Sequence, residues 1–546
     1  MFVPGQTDHT IVPQYYGKGN NYVAGGVARQ LTNTYQVSAD YKRTFSKVHE
    51  WRFNAFARWL THKVEVDGAS GYNTPNDYFQ SLNSLQDGIR TFGGNYHWNY
   101  FGTGLYADYT WKKLVRLNAG FNLDGTSASG AESSRMGFFP SVAATLMIAN
   151  SGRLPEWVNR FNVSLGASYS GNSRFSSNYS KDYYVGTPGI SGVKRANMPN
   201  PKLQWETTRQ IDFGLDLGLL KNRLSIGFNT YYSQSYNLLF NNNISGVYGS
   251  AEYFANTGKI NNAGVELSLR VNPLHTKDWN LVVGGTLATN SSRLLYTDGR
   301  ESAILSFTDY SRDDAQILMK VGDTPYQFYG YQTAGVYATT AEAQAAGLTN
   351  SAGIAYQAGD MKYVDQNGDG IIDGQDKVAI GKALPDFFGA VNLSLSYKKF
   401  TLDANFAYSV GNDAYNYTRR TVESMSTFYN QSTSVLNRWQ VEGQQTNIPR
   451  AVYGDAIGNS VFSDRWIEDA SYLKLRSLRL SYNFGKFLHF INSGTVWVAG
   501  ENLFTLTKYL GTDPEFAYGY SEAMRGFDYS KLALGRTFKL GFDLNF

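Results

Sequence analysis

Arg536-Thr537-Phe538-Lys539-Leu540-Gly541-Phe542-Asp543-Leu544-Asn545-Phe546 closes the chain. Phe538, Leu540, Phe542, Leu544 and Phe546 fall on one face of a strand, and Thr537, Lys539, Gly541, Asp543 and Asn545 on the other. Neighbouring strand side chains point to opposite sides, so one face is greasy and one is wet. A soluble sandwich could hide one such strand. A membrane barrel needs the pattern in every strand, with lipid outside and a polar lumen inside.

The pattern recurs along the whole chain. Tyr35, Val37, Ala39 and Tyr41 alternate with Gln36, Ser38, Asp40 and Lys42. Trp51, Phe53, Ala55, Ala57 and Trp59 follow, then Leu105, Ala107, Tyr109 and Trp111, then Val115, Leu117, Ala119, Phe121 and Leu123. Further strands are expected at 142–148, 161–169, 211–219, 224–232, 265–271, 281–289, 331–337, 391–397, 400–408, 478–484 and 496–498. Period two sustained this far indicates β structure. Each run is close to the nine to eleven residues that cross a bilayer when tilted.

Composition agrees. Aromatics make up 15% of 546 residues, Gly is high at 55, Pro low at 13 and Cys absent. Mean hydropathy is −0.37, and no apolar run approaches the roughly 20 residues of a membrane helix. Tyr and Trp gird both interfaces of a membrane barrel, while polar lumen residues keep mean hydropathy low. The net charge of +4 is too small and too scattered to argue for nucleic acid. Residues 1–10 have neither the basic start nor the apolar run of a secretory signal. If the mature protein lies in an outer membrane, this chain is expected to be less than the whole precursor.

Connection lengths alternate. Short ones are expected at 46–50, 112–114, 220–223, 272–278 and 398–399, and long ones at 65–98, 172–204, 411–464 and 507–535. Short turns on the periplasmic side and long loops outside is the outer-membrane arrangement. The rhythm breaks once, and a strand near 316–321 would restore it, which brings the count from about sixteen to about seventeen. Closed single-chain bacterial barrels have even strand numbers, so the first strands are expected to lie outside this chain.

Several segments resemble the SusC/RagA family of TonB-dependent outer-membrane transporters from Bacteroidota. They are Asp124-Gly125-Thr126 followed by Arg135-Met136-Gly137-Phe138-Phe139-Pro140-Ser141, then Asn200-Pro201-Lys202-Leu203-Gln204-Trp205-Glu206-Thr207-Thr208. Asn222-Arg223-Leu224-Ser225 and Asn261-Asn262-Ala263-Gly264-Val265-Glu266-Leu267 come next. Gly359-Asp360-Met361-Lys362-Tyr363, Ser471-Tyr472-Leu473-Lys474-Leu475-Arg476 and Gly500-Glu501-Asn502-Leu503-Phe504-Thr505 complete the series. The resemblance implies an all-β fold, a transmembrane antiparallel barrel of 22 strands around a plugged lumen. It also implies a SusD-like surface lipoprotein as lid, and energy from the TonB complex through a plug. No plug or TonB-contacting segment is recognisable in the sequence, so residues 1–546 are expected to be a carboxy-terminal barrel portion.

Residues 365–376, Asp365-Gln366-Asn367-Gly368-Asp369-Gly370-Ile371-Ile372-Asp373-Gly374-Gln375-Asp376, follow a calcium-loop pattern in an expected extracellular insertion. Asp365, Asn367, Asp369, Asp373 and Asp376 would offer side-chain oxygens, Ile371 its carbonyl, and Gly370 the sharp turn. The final ligand is Asp, shorter than the usual Glu. The site reads as a structural Ca²⁺ brace, or else as a solvated Asp/Gly turn.

No catalytic cluster emerges. Glu501 and the Asp513/Glu515 pair could act on sugars only at a defined separation in a cleft, and solvation in lumen or loop is the simpler reading. The six His are scattered, and Gly25-Gly26 lacks the strand-to-helix context of a phosphate loop. Loop residues Asn172, Ser173, Tyr179, Tyr183 and Tyr184 could stack on sugar, or belong to an interface girdle or a loop core. The expected function is import of an oligosaccharide or oligopeptide. The alternative is a non-transporting scaffold barrel that docks surface lipoproteins.

Overall fold

The computed structural model describes residues 22–546 apart from 47, 73–80, 85–86, 174, 176–178, 183, 187–192, 196, 245–246, 248–251, 298, 307–313, 487–490 and 517–521. Residues 1–10, on which the leader reading rests, and Tyr183 lie outside the described residues.

Among the described residues fifteen strands form one sheet, each beside the next in chain order. They are β1 Tyr22–Phe45, β2 His49–Tyr72, β3 Asp87–Trp111, β4 Val115–Thr126, β5 Met136–Met147, β6 Val158–Asn172, β7 Glu206–Leu219 and β8 Leu224–Asn243. β9 Glu252–His275, β10 Trp279–Thr297, β11 Phe387–Tyr397, β12 Phe400–Val410, β13 Tyr472–Phe484, β14 Ser493–Thr507 and β15 Thr537–Asn545 complete it. No helix among the described residues is long and apolar enough to cross a membrane. The chain divides into two compact units, one of residues 1–143, 167–209 and 236–257, the other of 144–166, 210–235 and 258–546.

In the first unit, β1 to β4 pair antiparallel, with one register shift between β2 and β3 at Ser70–Tyr72. β2 has 24 residues and β3 has 25. Each is more than twice the roughly nine to eleven residues that a tilted strand needs to cross a bilayer. Much of the loop expected at 65–98 is therefore strand. Period two does not fail there; the apolar face does, because that part of the sheet lies beyond lipid.

Alternation settles the two faces. Val37 is 76% exposed, and Tyr35, Tyr41, Phe53 and Trp59 on the same face are exposed too. Near the short turns Trp51 packs on Tyr109, 4.5 Å between ring centroids, in the manner of an interfacial belt. On the opposite face glycines receive aromatic rings. A Cβ on Gly120 would lie 2.2 Å from the Tyr106 ring, and one on Gly104 would lie 2.6 Å from Phe56. The Phe56 and Tyr106 rings stack at 6.4 Å, and Tyr106 Oη donates to Asn122 Oδ1 at 2.9 Å. Ring over glycine locks neighbouring strands without steric gap.

In the second unit the outward row Trp279, Tyr397, Phe400 and Tyr482 runs along register neighbours. Its rings lie 4.2 Å apart at Trp279–Tyr397 and 4.8 Å apart at Phe400–Tyr482. Trp497 lies over Gly541 in the same ring-on-glycine way, and its Nε1 donates to Asp543 at 3.0 Å. The short turns are tight, with φ of +52° at Lys398 and +54°, +56° and +61° at Leu220, Lys221 and Asn222. They are tied sideways: Lys398 N donates to Asp278 O at 2.7 Å and Asn483 N to Lys399 O at 2.8 Å.

Two expected strands belong elsewhere. Gln316–Lys320 is a strand, but in a separate four-stranded sheet with Ser302–Ser306, Gln327–Gly330 and Val378–Lys382. Ile317, Leu318 and Met319 are all buried, so this run is apolar on both faces and suits a core, not a lipid boundary. Thr333–Val336 pairs only with Met361–Tyr363. Among the described residues the main sheet has fifteen strands, against the expected sixteen or seventeen. With the strand at 331–337 removed from the count, short and long connections alternate without a break, so no added wall strand at 316–321 is needed.

The terminal strand tests which face meets lipid. Leu540→Arg should lower stability in lipid vesicles by about 2–4 kcal/mol, the usual effect of a charge on the lipid face near the midplane. Thr537→Arg, on the polar face, should stay within about 0.5 kcal/mol. Urea unfolding followed by Trp fluorescence reads both, and equal losses would contradict the two-faced assignment. Gly120→Val should cost about 1–3 kcal/mol by overpacking against Tyr106, and adding Tyr106→Ala should relieve part of that loss.

Candidate functional site: polar wall and loop platform

The polar face of the second unit carries a recess of about 430 Å³ lined by Arg160, Asp216, Arg270, Asn392, Asp403 and Asn405 among others. Several of its polar groups are matched locally. Arg160 Nε lies 2.9 Å from Asp216 Oδ2, Asn162 Nδ2 donates to the same carboxylate at 3.3 Å, and Ser394 Oγ donates to Asp403 at 2.6 Å. A wall of satisfied polar groups can pass a hydrated solute without trapping it. In the first unit Lys42–Glu50 (2.8 Å) and Arg52–Asp40 (3.2 Å) continue this chemistry, each pair exposed and screened by solvent.

The carboxylates weighed for sugar chemistry are ion-paired. Glu501 pairs with Lys539 at 2.5 Å. Asp513 pairs with the buried Lys474 at 2.7 Å, and Glu515 pairs with Lys474 at 3.4 Å and with Arg476. Cations take up both groups.

In the first unit, the segment at Asn200–Thr208 acts as a clamp. Gly130 N donates to Leu203 O at 2.8 Å and Glu132 N to Pro201 O at 2.8 Å. Ser133 Oγ donates to Leu203 O at 2.6 Å. Leu203 is fully buried, and Trp205 packs edge-on against Phe139 at 5.4 Å. Asn200 holds the far side, its Nδ2 donating to Phe254 O at 3.0 Å. Glu206 accepts from Leu239 N at 2.8 Å and from Asn172 Nδ2 at 2.7 Å. Tyr179 stacks on Phe254 at 3.7 Å and belongs to a loop core, whereas Tyr184 is exposed in the hairpin of Tyr184–Gly186 with Val193–Arg195.

In the second unit the long connections 298–386, 411–471 and 508–536 share one core. Ile317 and Phe328 come from the first, Tyr415, Phe462 and Trp466 from the second, and Phe527 and Tyr529 from the third. A second cluster gathers Val336, Tyr337, Tyr356, Met361, Tyr363 and Ile372 with Ile457. Asp360 anchors it. Fully buried, its carboxylate accepts from Arg450 Nε at 2.7 Å and Nη2 at 3.2 Å, from Asn459 Nδ2 at 3.0 Å and from Gln357 N at 2.9 Å. Asn459 returns a bond through Oδ1 to Met361 N at 2.8 Å. Burial pushes the Tyr331 phenol up to about 12, with the charges of Asp314, Asp373 and Asp376 adding to the shift. Arg450 and Asn459 escaped the sequence reading: a buried Asp demands donors, but these lie 90 and 99 residues away.

The 365–376 loop turns its carboxylates onto its own backbone. Asp365 accepts from Gly368 N at 2.7 Å and Gly370 N at 2.9 Å. The Gly370 N–H, with other loop amides, draws the Asp365 carboxyl below its ordinary range. Asp369 accepts from Ile371 N at 2.8 Å and from Asn367 Nδ2 at 2.9 Å. Asp373 accepts from Gln375 N at 2.8 Å. Asp376, fully buried, accepts from Gln366 N and Asp373 N, both at 2.8 Å. Gly370 has φ of +84°, as the sharp turn requires. The donor types suit Ca²⁺, but in this arrangement the final carboxylate gives both oxygens to backbone N–H groups. Among the described residues no three His, Cys, Asp or Glu side chains are grouped to hold a metal ion.

A two-faced sheet, a matched polar wall and interlocked long loops define a membrane barrel. A family model described as "TonB dependent receptor-like, beta-barrel" matches residues 3–412, and the chain belongs to that family of outer-membrane barrels. TonB-dependent receptor P3 of Formosa agariphila is 29% identical over 95% of this chain and 53% of its own length. TonB-dependent receptor SusC of Bacteroides thetaiotaomicron is 28% identical over 64% of this chain and 32% of its own length. The solved structure of the RagAB peptide transporter superposes with a TM-score of 0.78 at 22% identity, over 95% of this chain and 56% of that one. The chain thus spans about half the length of the first of these relatives.

Asp360→Ala should loosen the loop platform by about 3 kcal/mol, because Arg450 and Asn459 lose a buried acceptor. Hydrogen exchange should rise across residues 331–465 while the strands keep their protection. Unchanged exchange there would show that the carboxylate does not anchor the loops.

Proposed function

We propose that this chain builds the wall and outer loops of a TonB-dependent importer for oligosaccharides or oligopeptides. A SusD-like surface lipoprotein would hold the substrate over the loops, and the TonB complex would supply energy through a plug. Family membership over residues 3–412 is the observation that carries this reading. The shared core of three long loops supports it, since a lid that opens and shuts needs a rigid seat. The fold match to RagAB, titled a peptide transporter, favours peptides among the candidate cargoes.

Disrupting the gene in its native cell and following uptake of labelled oligosaccharides and labelled oligopeptides tests this. One class should lose uptake, and a surface lipoprotein should co-purify with the tagged chain from detergent. Undiminished uptake of both classes would end the importer reading. Undiminished uptake with the lipoprotein still bound would favour the docking scaffold.

We also propose Ca²⁺ as an occupant of the 365–376 loop, on the spacing of its oxygens. Entry would require Asp376 and Asn367 to give up the bonds described above. Extracellular calcium modules bind at about 10⁻⁴–10⁻³ M, so calorimetry in that range should register binding, and Asp369→Ala should weaken it. A flat titration would remove the proposal and leave the loop braced by its own backbone bonds.

A further inference from the structure

The short turns of the second unit carry cations where tight turns ordinarily carry small residues. A left-handed turn position suits Gly, Asn or Asp, yet Lys221 stands there with φ of +56° and Lys398 with φ of +52°. Lys398 and Lys399 form the whole turn between the paired Tyr397 and Phe400. Lys398 Nζ lies 5.3 Å over the Tyr397 ring. The first unit, taken by itself, repeats the choice. Lys112 and Lys113 have φ of +50° and +57°, and Lys112 Nζ lies 5.1 Å over the Trp111 ring.

Neighbouring connections of the second unit are tied edge to edge. Leu220 N donates to Trp157 O at 2.6 Å, Asn272 N to Arg223 O at 2.7 Å and Lys398 N to Asp278 O at 2.7 Å. Residues 148–157, 220–223, 272–278 and 398–399 therefore line one rim. It holds six cations, Arg153, Lys221, Arg223, Lys277, Lys398 and Lys399, against two carboxylates, Glu156 and Asp278. All of them are exposed. On the polar face, by contrast, Arg160 lies 2.9 Å from Asp216 and Lys539 lies 2.5 Å from Glu501. None of the six rim cations forms an ion pair among the described residues.

The row of outward rings sets the depth of this rim. Trp279, Tyr397 and Phe400 directly adjoin the turn residues Asp278, Lys398 and Lys399, and such rings sit where hydrocarbon gives way to headgroups. The cations beside them therefore stand at the depth of lipid phosphates. A lysine lying over an interfacial ring keeps its stem on apolar surface and its charge among the headgroups. Short turns of these barrels face the periplasm, so the leaflet in question is the periplasmic one.

We propose that this rim binds the phosphates of anionic phospholipids in the periplasmic leaflet, with Lys221, Lys277, Lys398 and Lys399 as its contacts. An excess of unpaired cations favours phosphatidylglycerol, whose headgroup carries net negative charge. Phosphatidylcholine is disfavoured because its own ammonium offsets its phosphate. Each lysine near an anionic lipid surface contributes about fivefold in association. Lipid gripped along the rim would fix the depth at which the wall sits.

Electron paramagnetic resonance on the full chain in phosphatidylcholine vesicles tests this, with a trace of spin-labelled phosphatidylglycerol or spin-labelled phosphatidylcholine as the probe. Averaged over the whole lipid shell, the labelled phosphatidylglycerol should associate at least about twofold more strongly. The preference should shrink in about 1 M NaCl, where screening acts over about 3 Å. A chain with Lys221→Gln, Lys277→Gln, Lys398→Gln and Lys399→Gln together should lose about half or more of it. The same four positions changed to Arg should keep it. Heat-modifiable mobility on gels confirms that each variant keeps its barrel, and the salt series on the unaltered chain needs no variant at all. Equal association of the two lipids with the unaltered chain, a preference unmoved by salt, or a preference kept in full by the folded Gln chain would overturn the rim. None of these outcomes touches the uptake assay, so the rim and the importer reading stand or fall separately.

Discussion

Hydrocarbon offers no hydrogen bonds, and that constraint governs the chain. Every backbone N–H and C=O at membrane depth must find its partner within the protein. A sheet in which strand follows strand in order satisfies this with the shortest connections. Once the backbone is paired, the outward side chains need only be apolar. Val37, Phe538 and Leu540, which would be liabilities in water, become the contact with lipid. The Trp279–Tyr397–Phe400–Tyr482 row marks where hydrocarbon gives way to headgroups, because an amphipathic ring is content only there.

The inner face answers a different demand. It must stay polar, yet it cannot hold strands together by a dry core. Ring-on-glycine joints at Tyr106–Gly120 and Trp497–Gly541 offer one solution, since each buries aromatic surface while leaving a polar tip exposed to the lumen. Tyr106 reaches Asn122 and Trp497 reaches Asp543 by those tips. The ion pairs on this face add little stability in water, but they keep the wall neutral over short distances.

Strand positions were legible because period two needs no knowledge of partners. The terminal strand, β11, β12 and the first four strands could be read directly from alternating residues. What failed was the bookkeeping where alternation weakens. Ile317-Leu318-Met319 is β-prone, but buried on both faces, and from sequence alone such a run cannot be told from a lipid-facing strand that lacks clear alternation. Strand length beyond the membrane was also hidden at 65–72 and 87–98, since a sheet wetted on both faces loses its apolar stripe. The candidate sites were harder still. The calcium-loop spacing was visible, but which donor each oxygen accepts depends on backbone geometry.

Two of the segments that resemble a family, residues 200–205 and 359–363, lie outside the regular wall, and the structure supplies a reason for their particular residues. A strand of the wall needs a pattern, which many sequences satisfy, so its residues are interchangeable within apolar and polar classes. A loop without a sheet beside it must satisfy its backbone one bond at a time, which only particular residues can do. Asn200 must reach Phe254 O, and Leu203 must accept from both Gly130 and Ser133. Asp360 must collect Arg450, Asn459 and Gln357 at once, and Gly359 before it has φ of +85° and no room for a Cβ beside Trp439. Where the long connections are knitted together, particular residues are therefore demanded one by one, and the rigidity they give lets a wall built on pattern carry loops of definite shape.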